Sequence, residues 1–154
     1  MLTVTVNSKP VDDLLTTLLG RMGNLNPAMQ GIGQELNSRI SARFETRSDP
    51  LGKPWEPWAE STRENYPKDG RGLLLERYGD MLKSLSFQAD NTSVRVGFGT
   101  VASKAGDVYA AYHEWGTKKM PRRGLLFADP DAGTLAPDDE TAVLDILRVF
   151  LLPE

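Results

Sequence analysis

The sequence has no cysteine and only one histidine among its 154 residues. Without cysteine there is no disulfide framework of the kind that stabilises small extracellular domains. A zinc site of the common cysteine and histidine types is also excluded, because one histidine cannot complete the ligand set. The start of the chain lacks the basic region and the long apolar region of a secretory signal, so we expect synthesis in the cytosol.

Long apolar runs and an excess of positive charge are missing as well. The longest apolar run near the C-terminus, Val149 to Leu152, is far shorter than the roughly 18 residues of a transmembrane helix. Eighteen basic and 21 acidic residues give a net charge of -3, which does not draw the protein as a whole to a phosphate backbone. With 40% apolar and 25% charged residues, the composition is that of an ordinary globular protein, and we expect one domain over residues 1–154.

Apolar periodicity predicts an α+β order of elements with two long N-terminal helices and a C-terminal helix. The first helix ends at Gly23, the second begins near Pro27, and the last has an apolar face from Val143 to Phe150. A stripe along the first helix consists of Val11, Leu14, Leu15, Leu18, Leu19 and Met22.

Alternating residues predict the strands. Residues 2–6 form one candidate, and residues 84–89 and 93–98 form a hairpin, because Asp90 and Asn91 between them tolerate positive φ. Leu125 to Phe127 is predicted to form one more strand.

A long loop, residues 45–72, interrupts the periodic pattern. It is rich in proline and glycine and contains Trp55 and Trp58. A loop of this length in a small domain is more often functional than idle. The two tryptophans either close over the core or stand as anchors in an interface, and the sequence leaves both interpretations open.

The stretch YAAYHEWGTKKMPRR, Tyr109 to Arg123, holds the single histidine. Asp107 is predicted to cap a short helix that Gly116 ends, with His113 on the face shared with Tyr109. The inner face of this helix is predicted to consist of Val108, Ala111, Tyr112 and Trp115.

Charge is unevenly distributed after this helix. Four basic residues without an acid follow it, namely Lys118, Lys119, Arg122 and Arg123. Six acids without a base come next, namely Asp129, Asp131, Asp138, Asp139, Glu140 and Asp145. Such an asymmetry is typical of surfaces that meet an oppositely charged partner.

Several short motifs suggest catalysis or cofactor binding, but the residues around them do not support either function. His113 and Glu114 begin like the zinc-protease signature H-E-x-x-H, but Thr117 stands at the fifth position. Residues 97–102 fit G-x-G-x-x-A, but the strand before them is a hairpin partner rather than the opening of a β-α-β unit. No G-x-S-x-G elbow occurs, and a hydrogen-bonded histidine in a packed junction is the preferred interpretation. We therefore expect no enzyme, no metal and no cofactor.

Two alternatives from other classes stay open. A small nucleic-acid-binding module would use the basic residues 118–123 on phosphates, with Trp115 stacked on a base. A hydrolase would use His113 with partners from elsewhere in the chain.

Four motifs follow one another along the chain: FETRSDPLGKPW (44–55), RYGDMLKSL (77–85), YAAYHEWG (109–116) and MPRR (120–123). In that order and spacing they resemble the phage virion morphogenesis family of Mu-like phages, which are described as tail completion or tail-to-head joining proteins. The resemblance covers about residues 27–150. Family members often continue the last motif as Met-Pro-Ala-Arg-Pro-Phe, whereas this chain has Arg122 and Gly124 in place of the alanine and the second proline.

The resemblance implies an α+β domain in which long helices pack on a small antiparallel sheet. It also implies a non-enzymatic subunit of a sixfold ring at the head-proximal end of a tail. Expected partners are further copies of the chain and the adjacent neck and tail proteins, namely the tail tube and the connector or stopper, with no membrane and with DNA met only along its passage. The expected location is the virion neck or tail, after assembly in the host cytoplasm, and a tail terminator ring is the related alternative.

A basic turn and an acidic segment on one subunit suit a ring-closing contact, because heterologous interfaces join two different patches. We expect the loop after His113 to reach a neighbouring subunit, with Gly116 and Pro121 setting its direction, and the loop 45–72 to become ordered against a partner. The residues expected at protein interfaces are Trp55, Trp58, Tyr109, His113, Trp115, Lys118, Lys119, Met120, Arg122 and Arg123.

Overall fold

A computed structural model describes residues 9–99 and 108–152. Within these ranges the elements are α1 (Lys9–Met22), α2 (Asn26–Thr46), α3 (Glu60–Glu64), α4 (Asp80–Lys83), β1 (Leu85–Ala89), β2 (Val94–Phe98), α5 (Tyr109–Trp115) and α6 (Pro137–Leu151). The predicted α+β class is confirmed, as are the N-terminal and C-terminal helices. The predicted strand over residues 2–6 and the predicted cap at Asp107 lie outside the described residues.

Helix α2 is the central element, with the β1–β2 hairpin on one side and α6 on the other. Two glycines that weaken its intrinsic helix propensity allow these close approaches. A Cβ on Gly33 would lie 2.2 Å from the Phe87 ring of β1, and a Cβ on Gly31 would lie 3.5 Å from Ile146 of α6. The predicted packing of helices on the sheet therefore applies to α2, whereas α6 lies mainly on α2.

Helix α1 is attached to the rest of the molecule mainly through α6. None of its residues is buried, and its predicted apolar stripe faces outwards. Leu19, for example, is 70% exposed. Amphipathicity correctly predicted the helix, but it could not show whether the apolar face meets this chain or something else.

The core lies where α2, the hairpin and the segment 121–127 meet. Its buried members are Ile40, Phe44, Trp55, Met81 and Leu125. The Phe44 ring meets Trp55 edge to face at 5.5 Å between centroids, an arrangement that aromatic quadrupoles favour. A residue from the long loop is thus part of the core.

The hairpin pairs Leu85 with Phe98 and runs antiparallel, as predicted. Its turn does not depend on positive φ at Asn91, because only Arg47 and Leu75 have positive φ among the non-glycine residues of the described chain. The Asp90 carboxylate instead accepts the backbone N–H groups of Thr92 and Ser93, each at 2.7 Å. These bonds, with that from the Ser93 hydroxyl, lower the pKa of Asp90 to about 2, because they stabilise its charged form.

Candidate functional site

The first family-like motif is a tight turn that delivers Trp55 to the core. Asp49 Oδ1 accepts the N–H of Leu51 at 2.9 Å and that of Lys53 at 2.8 Å, and Gly52 takes φ of 80°. The Trp55 N–H then donates to the Arg47 carbonyl at 2.8 Å, which returns the chain against the end of α2. The turn residues thus have a structural role.

The two tryptophans of the long loop separate into different environments. Trp55 is 6% exposed, and its Nε1 donates to the Gly124 carbonyl at 3.0 Å. Trp58 is half-buried and stacks on Tyr66 with 4.7 Å between ring centroids. Of the two open interpretations, core cover therefore applies to Trp55, and its assignment to an interface is corrected. This part of the loop is ordered by contacts within the chain rather than by a partner.

Helix α5 presents the opposite face to that predicted. Val108, Tyr112 and Trp115 are exposed, with Trp115 at 51%. The inner positions are those of Ala110, which packs against the core, and of Glu114, which is 2% exposed. The predicted inner face did not include Glu114, and partners elsewhere in the sequence make the burial of its charge favourable.

Glu114 is the residue that sequence reasoning missed. Its Oε2 accepts the N–H groups of Leu125 at 2.7 Å and Leu126 at 2.9 Å, and its Oε1 accepts that of Phe127 at 3.1 Å. The predicted strand over Leu125–Phe127 is wrong for this reason, because its backbone donors bind a carboxylate instead of a neighbouring strand. A buried carboxylate with several donors is stable when they are all directed at it.

Arg122 and Arg123 bind inside the subunit. Arg122 Nε donates to the Glu114 carbonyl at 2.7 Å, and its Nη2 donates to the Phe127 carbonyl at 2.7 Å. Arg123 is 7% exposed, and its guanidinium donates to the Glu56 carbonyl at 2.7 Å and to the Pro57 carbonyl at 2.8 Å. Both arginines fasten the segment to the subunit. The assignment of the buried Arg123 to an interface is corrected, whereas that of the half-buried Arg122 stays a prediction.

The two departures from the family pattern are physically linked. A Cβ on residue 124 would lie 2.7 Å from Nη2 of Arg122, whose position is fixed by its hydrogen bonds to Glu114 and Phe127. A proline at 124, as family members often have, carries that Cβ. Gly124 therefore makes room for the arginine that replaces the alanine.

The turn after α5 is fixed by Gly116, as predicted. Gly116 has φ of 73°, and a Cβ there would lie 2.9 Å from the Arg122 backbone nitrogen. The Arg123 N–H donates to the His113 carbonyl at 2.8 Å, which closes the loop at its base. Lys118 and Lys119 are exposed at its tip, and Met120 is half-buried. Of the four cations predicted for the basic turn, the two lysines are thus the ones with exposed side chains.

His113 is half-buried on the inner side of this loop. Burial, followed by the nearby positive charge of Arg123, lowers its pKa to about 4. The imidazole is therefore neutral at neutral pH. Its Nδ1 has no hydrogen-bond partner in the described part of the chain, so the predicted hydrogen-bonded anchor holds the loop by its backbone carbonyl rather than by its ring.

The exposed side chains that remain form one continuous candidate surface. We call it the α5 surface, and it consists of Tyr109, Tyr112, Trp115, Lys118 and Lys119. Trp115 Nε1 donates to the Asp131 carboxylate at 3.1 Å, so the start of the acidic segment lies beside this surface.

The rest of the acidic segment is divided between structure and surface. Asp139 is buried in an ion pair with Arg43 of α2, and Arg43 Nη1 also donates to the Leu125 carbonyl at 2.6 Å. This ion pair joins α2, α6 and the segment 121–127. Asp138 and Glu140 are exposed in the first turn of α6.

Two depressions in the surface are places where other chemistry could occur. Neither the apolar groove between α2 and α6 nor the small polar cleft beside Trp55 includes His113. No cluster of three possible metal ligands occurs among residues 9–99 and 108–152. In these ranges no helix is both long and apolar enough to cross a membrane.

A match to a protein-family model shows that the chain is a phage virion assembly protein. The model of the phage virion morphogenesis family matches residues 6–151, and the chain belongs to this family. The match extends further towards the N-terminus than the motifs alone indicate. Comparison with curated protein sequences gave no match, and neither did comparison with solved structures.

Proposed function

We propose that the chain is a ring-forming tail completion or tail-to-head joining subunit at the head-proximal end of a phage tail. Membership of the virion morphogenesis family supports a structural role in assembly. The observation that carries the finer proposal is the α5 surface, where aromatic and lysine side chains are exposed on a support fixed by buried charges. Tyrosine and tryptophan are favoured at interface centres, because large rigid rings lose little entropy on burial.

A ring requires two different patches on each subunit, since a head-to-tail contact joins unlike surfaces. Lys118 and Lys119 supply the positive patch. Asp138 and Glu140 in the first turn of α6 supply an exposed negative patch elsewhere on the chain. Asp131 accepts a hydrogen bond from Trp115 and therefore lies beside the α5 surface.

The partners under this proposal are further copies of the chain in a hexamer, together with the tail tube and the connector or stopper. The subunit resides in the neck of the virion, and DNA meets it only where the ring lines the DNA passage. This role makes no use of catalysis, which is consistent with the bonding of Glu114: its carboxylate is engaged by Arg122 and three backbone groups.

The test is complementation of the encoding phage with this gene disabled, with particles viewed by negative-stain electron microscopy. Without the gene, filled heads should lie beside unattached tails. Lys118→Glu/Lys119→Glu should fold normally yet leave heads and tails apart, because the reversed charges repel the acidic patch of the next copy. Lys68→Glu/Lys83→Glu makes the same charge change at two other exposed lysines and should restore virions.

Each other result has a defined meaning. Intact virions without the gene, or from the Lys118→Glu/Lys119→Glu variant, would overturn the proposal in its present form. Tails of irregular length would favour the terminator ring. Steeply salt-dependent DNA binding that the Lys118→Glu/Lys119→Glu pair abolishes would favour the nucleic-acid module, since each phosphate contact releases counterions.

A further inference from the structure

Most of the apolar stripe of α1 is exposed in the structure described for residues 9–99 and 108–152, and only Leu18 is half-buried. Five of its side chains are between 45% and 70% exposed, namely Val11, Leu14, Leu15, Leu19 and Met22. Near the C-terminal end of the helix, Arg21 Nη1 donates to the carbonyl groups of Phe150 at 3.2 Å and Leu151 at 3.4 Å. The helix is therefore attached to α6 at that end, and its apolar face is exposed to meet another surface.

An apolar groove lies beside this attachment, between α2 and α6. Its lining is almost wholly apolar and includes Pro27, Ala28, Ile146, Val149 and Phe150. Val149 is 70% exposed, although it lines the groove. Aliphatic side chains at helical spacing are the usual occupants of such a groove.

The size of the uncovered surface indicates a protein contact. The five exposed side chains of the α1 stripe present apolar surface on the order of a few hundred Å², a size at which an apolar patch is often functional. A stable interface buries roughly 800 Å² per partner, so the stripe would supply part of such a contact.

Charged side chains flank both surfaces. Helix α1 carries Asp12, Asp13 and Lys9 near its start, and Arg21 and Asp145 are among the residues that line the groove. Arg148 pairs with Asp145 in an exposed ion pair, which can exchange for an intermolecular one. A second copy of this chain supplies both surfaces at once.

We infer that the apolar face of α1 seats in the α2–α6 groove of a neighbouring copy. The inference rests on the proposed function and deepens it by naming a contact between copies. A helix face and a groove are unlike surfaces, so copies joined head to tail through this contact can close a ring.

The first test measures the mass of the purified full chain by light scattering over a range of protein concentrations. The wild-type protein should self-associate, and Leu15→Glu/Leu19→Glu should shift the population to monomer, with a rise of about tenfold or more in dissociation constant. Thr16→Glu/Thr17→Glu adds the same charge on the polar face of α1 and should associate like the wild type. A monomeric wild type, or equal association by both variants, would overturn the inference.

The second test uses the absence of cysteine, which makes introduced thiols unique. Leu19→Cys protein mixed with Val149→Cys protein should form a disulfide-linked dimer on mild oxidation, because both positions are widely exposed in the monomer. Equal linkage of Leu19→Cys protein with itself would assign the contact to two α1 helices and refute the groove. Protection of the Leu19→Cys thiol from maleimide in monomeric protein would mean that the chain covers its own stripe, and would also overturn the inference.

The two proposals fail in distinguishable ways. If Leu15→Glu/Leu19→Glu abolishes self-association but virions form normally without the gene, the inferred interface is supported and the tail-joining role is refuted. If the wild type is monomeric and the Leu15→Glu/Leu19→Glu variant cannot complement the phage, the tail-joining role is retained. The α1 stripe would then contact a different virion protein.

Discussion

The region around residues 121–127 and the helix α1 differ in which kinds of side chain they bury and which they expose. Around 121–127 charged groups are buried: Glu114, Arg123, Arg43 and Asp139 are each at most 7% exposed. In α1 three of the four leucines and Met22 are instead exposed to water. The buried charges bind partners within the subunit, whereas the exposed apolar residues have none in the described chain. Charged side chains, which suggest an interface when only the sequence is known, can thus have a structural role inside the subunit. Apolar side chains, which suggest a core, can lie on the surface.

The largest expected effect is the loss of the Glu114 carboxylate. In Glu114→Gln one acceptor oxygen becomes an amide that faces backbone donors, whichever way the side chain is turned. We expect the free energy of unfolding to fall by about 3 kcal/mol. Urea unfolding measures it, and Glu64→Gln, at an exposed position of α3, should change it by less than about 0.5 kcal/mol. Equal effects of the two changes would mean that the buried charge network is not what holds the segment.

Substitutions of glycine offer a second test of the difference between the packed interior and the exposed helix α1. Gly33→Ala places a Cβ where the Phe87 ring lies, so the hairpin must move, and we expect a loss of about 1–3 kcal/mol. Gly20→Ala in α1 meets no atom within 4 Å and should instead raise stability by up to about 1 kcal/mol. Urea midpoints test both.

The Gly33 result has an internal control. In a Phe87→Leu background the ring that causes the clash is gone, so Gly33→Ala should cost less than in the wild type. A cost that is unchanged in this background would contradict the close contact between α2 and β1.

Local patterns were sufficient to predict the helices α1, α2 and α6 and the hairpin, because their periodicity and turn residues act over a few positions. The inner face of α5 could not be predicted in this way. The donors that bury Glu114 come from residues up to 13 positions away, and their convergence depends on the turn at Gly116. Hydrophobic pattern alone therefore assigned the wrong face.

The sequence predicted some of the exposed side chains of the candidate site, and their role at an interface stays a prediction. Tyr109, Trp115, Lys118 and Lys119 are exposed where the sequence placed an interface. Counting charges could not show which cations are already paired within the chain. The sequence feature that could have indicated a structural role for Arg123 is its place in the Met-Pro-x-Arg motif. The Arg123 side chain fastens this turn to residues 56–57.

The expected effect that is smallest at neutral pH is a pH dependence of stability that arises from His113 in the buried region. The pKa of His113 is about 4 in the folded state against 6.5 ordinarily, so the unfolded state takes up its proton first as the pH falls. Stability should therefore decrease between pH 6.5 and 4, by at most about 1.4 kcal/mol per pH unit. Asp90, with a pKa of about 2, contributes only below its ordinary value of 3.8, in a separate window.

His113→Asn removes the titrating ring and should flatten the unfolding free energy between pH 6.5 and 4 while leaving the acid-limb decrease below 3.8. Urea unfolding at a series of pH values measures both windows. Virion assembly by this variant at neutral pH should be retained, because the neutral imidazole carries no charge to a partner and the backbone carbonyl still accepts the Arg123 N–H. If the unfolding free energy of the variant still falls between pH 6.5 and 4 as in the wild type, the titrating group is not His113. Loss of assembly by a folded variant would show that the imidazole ring does more than support the turn.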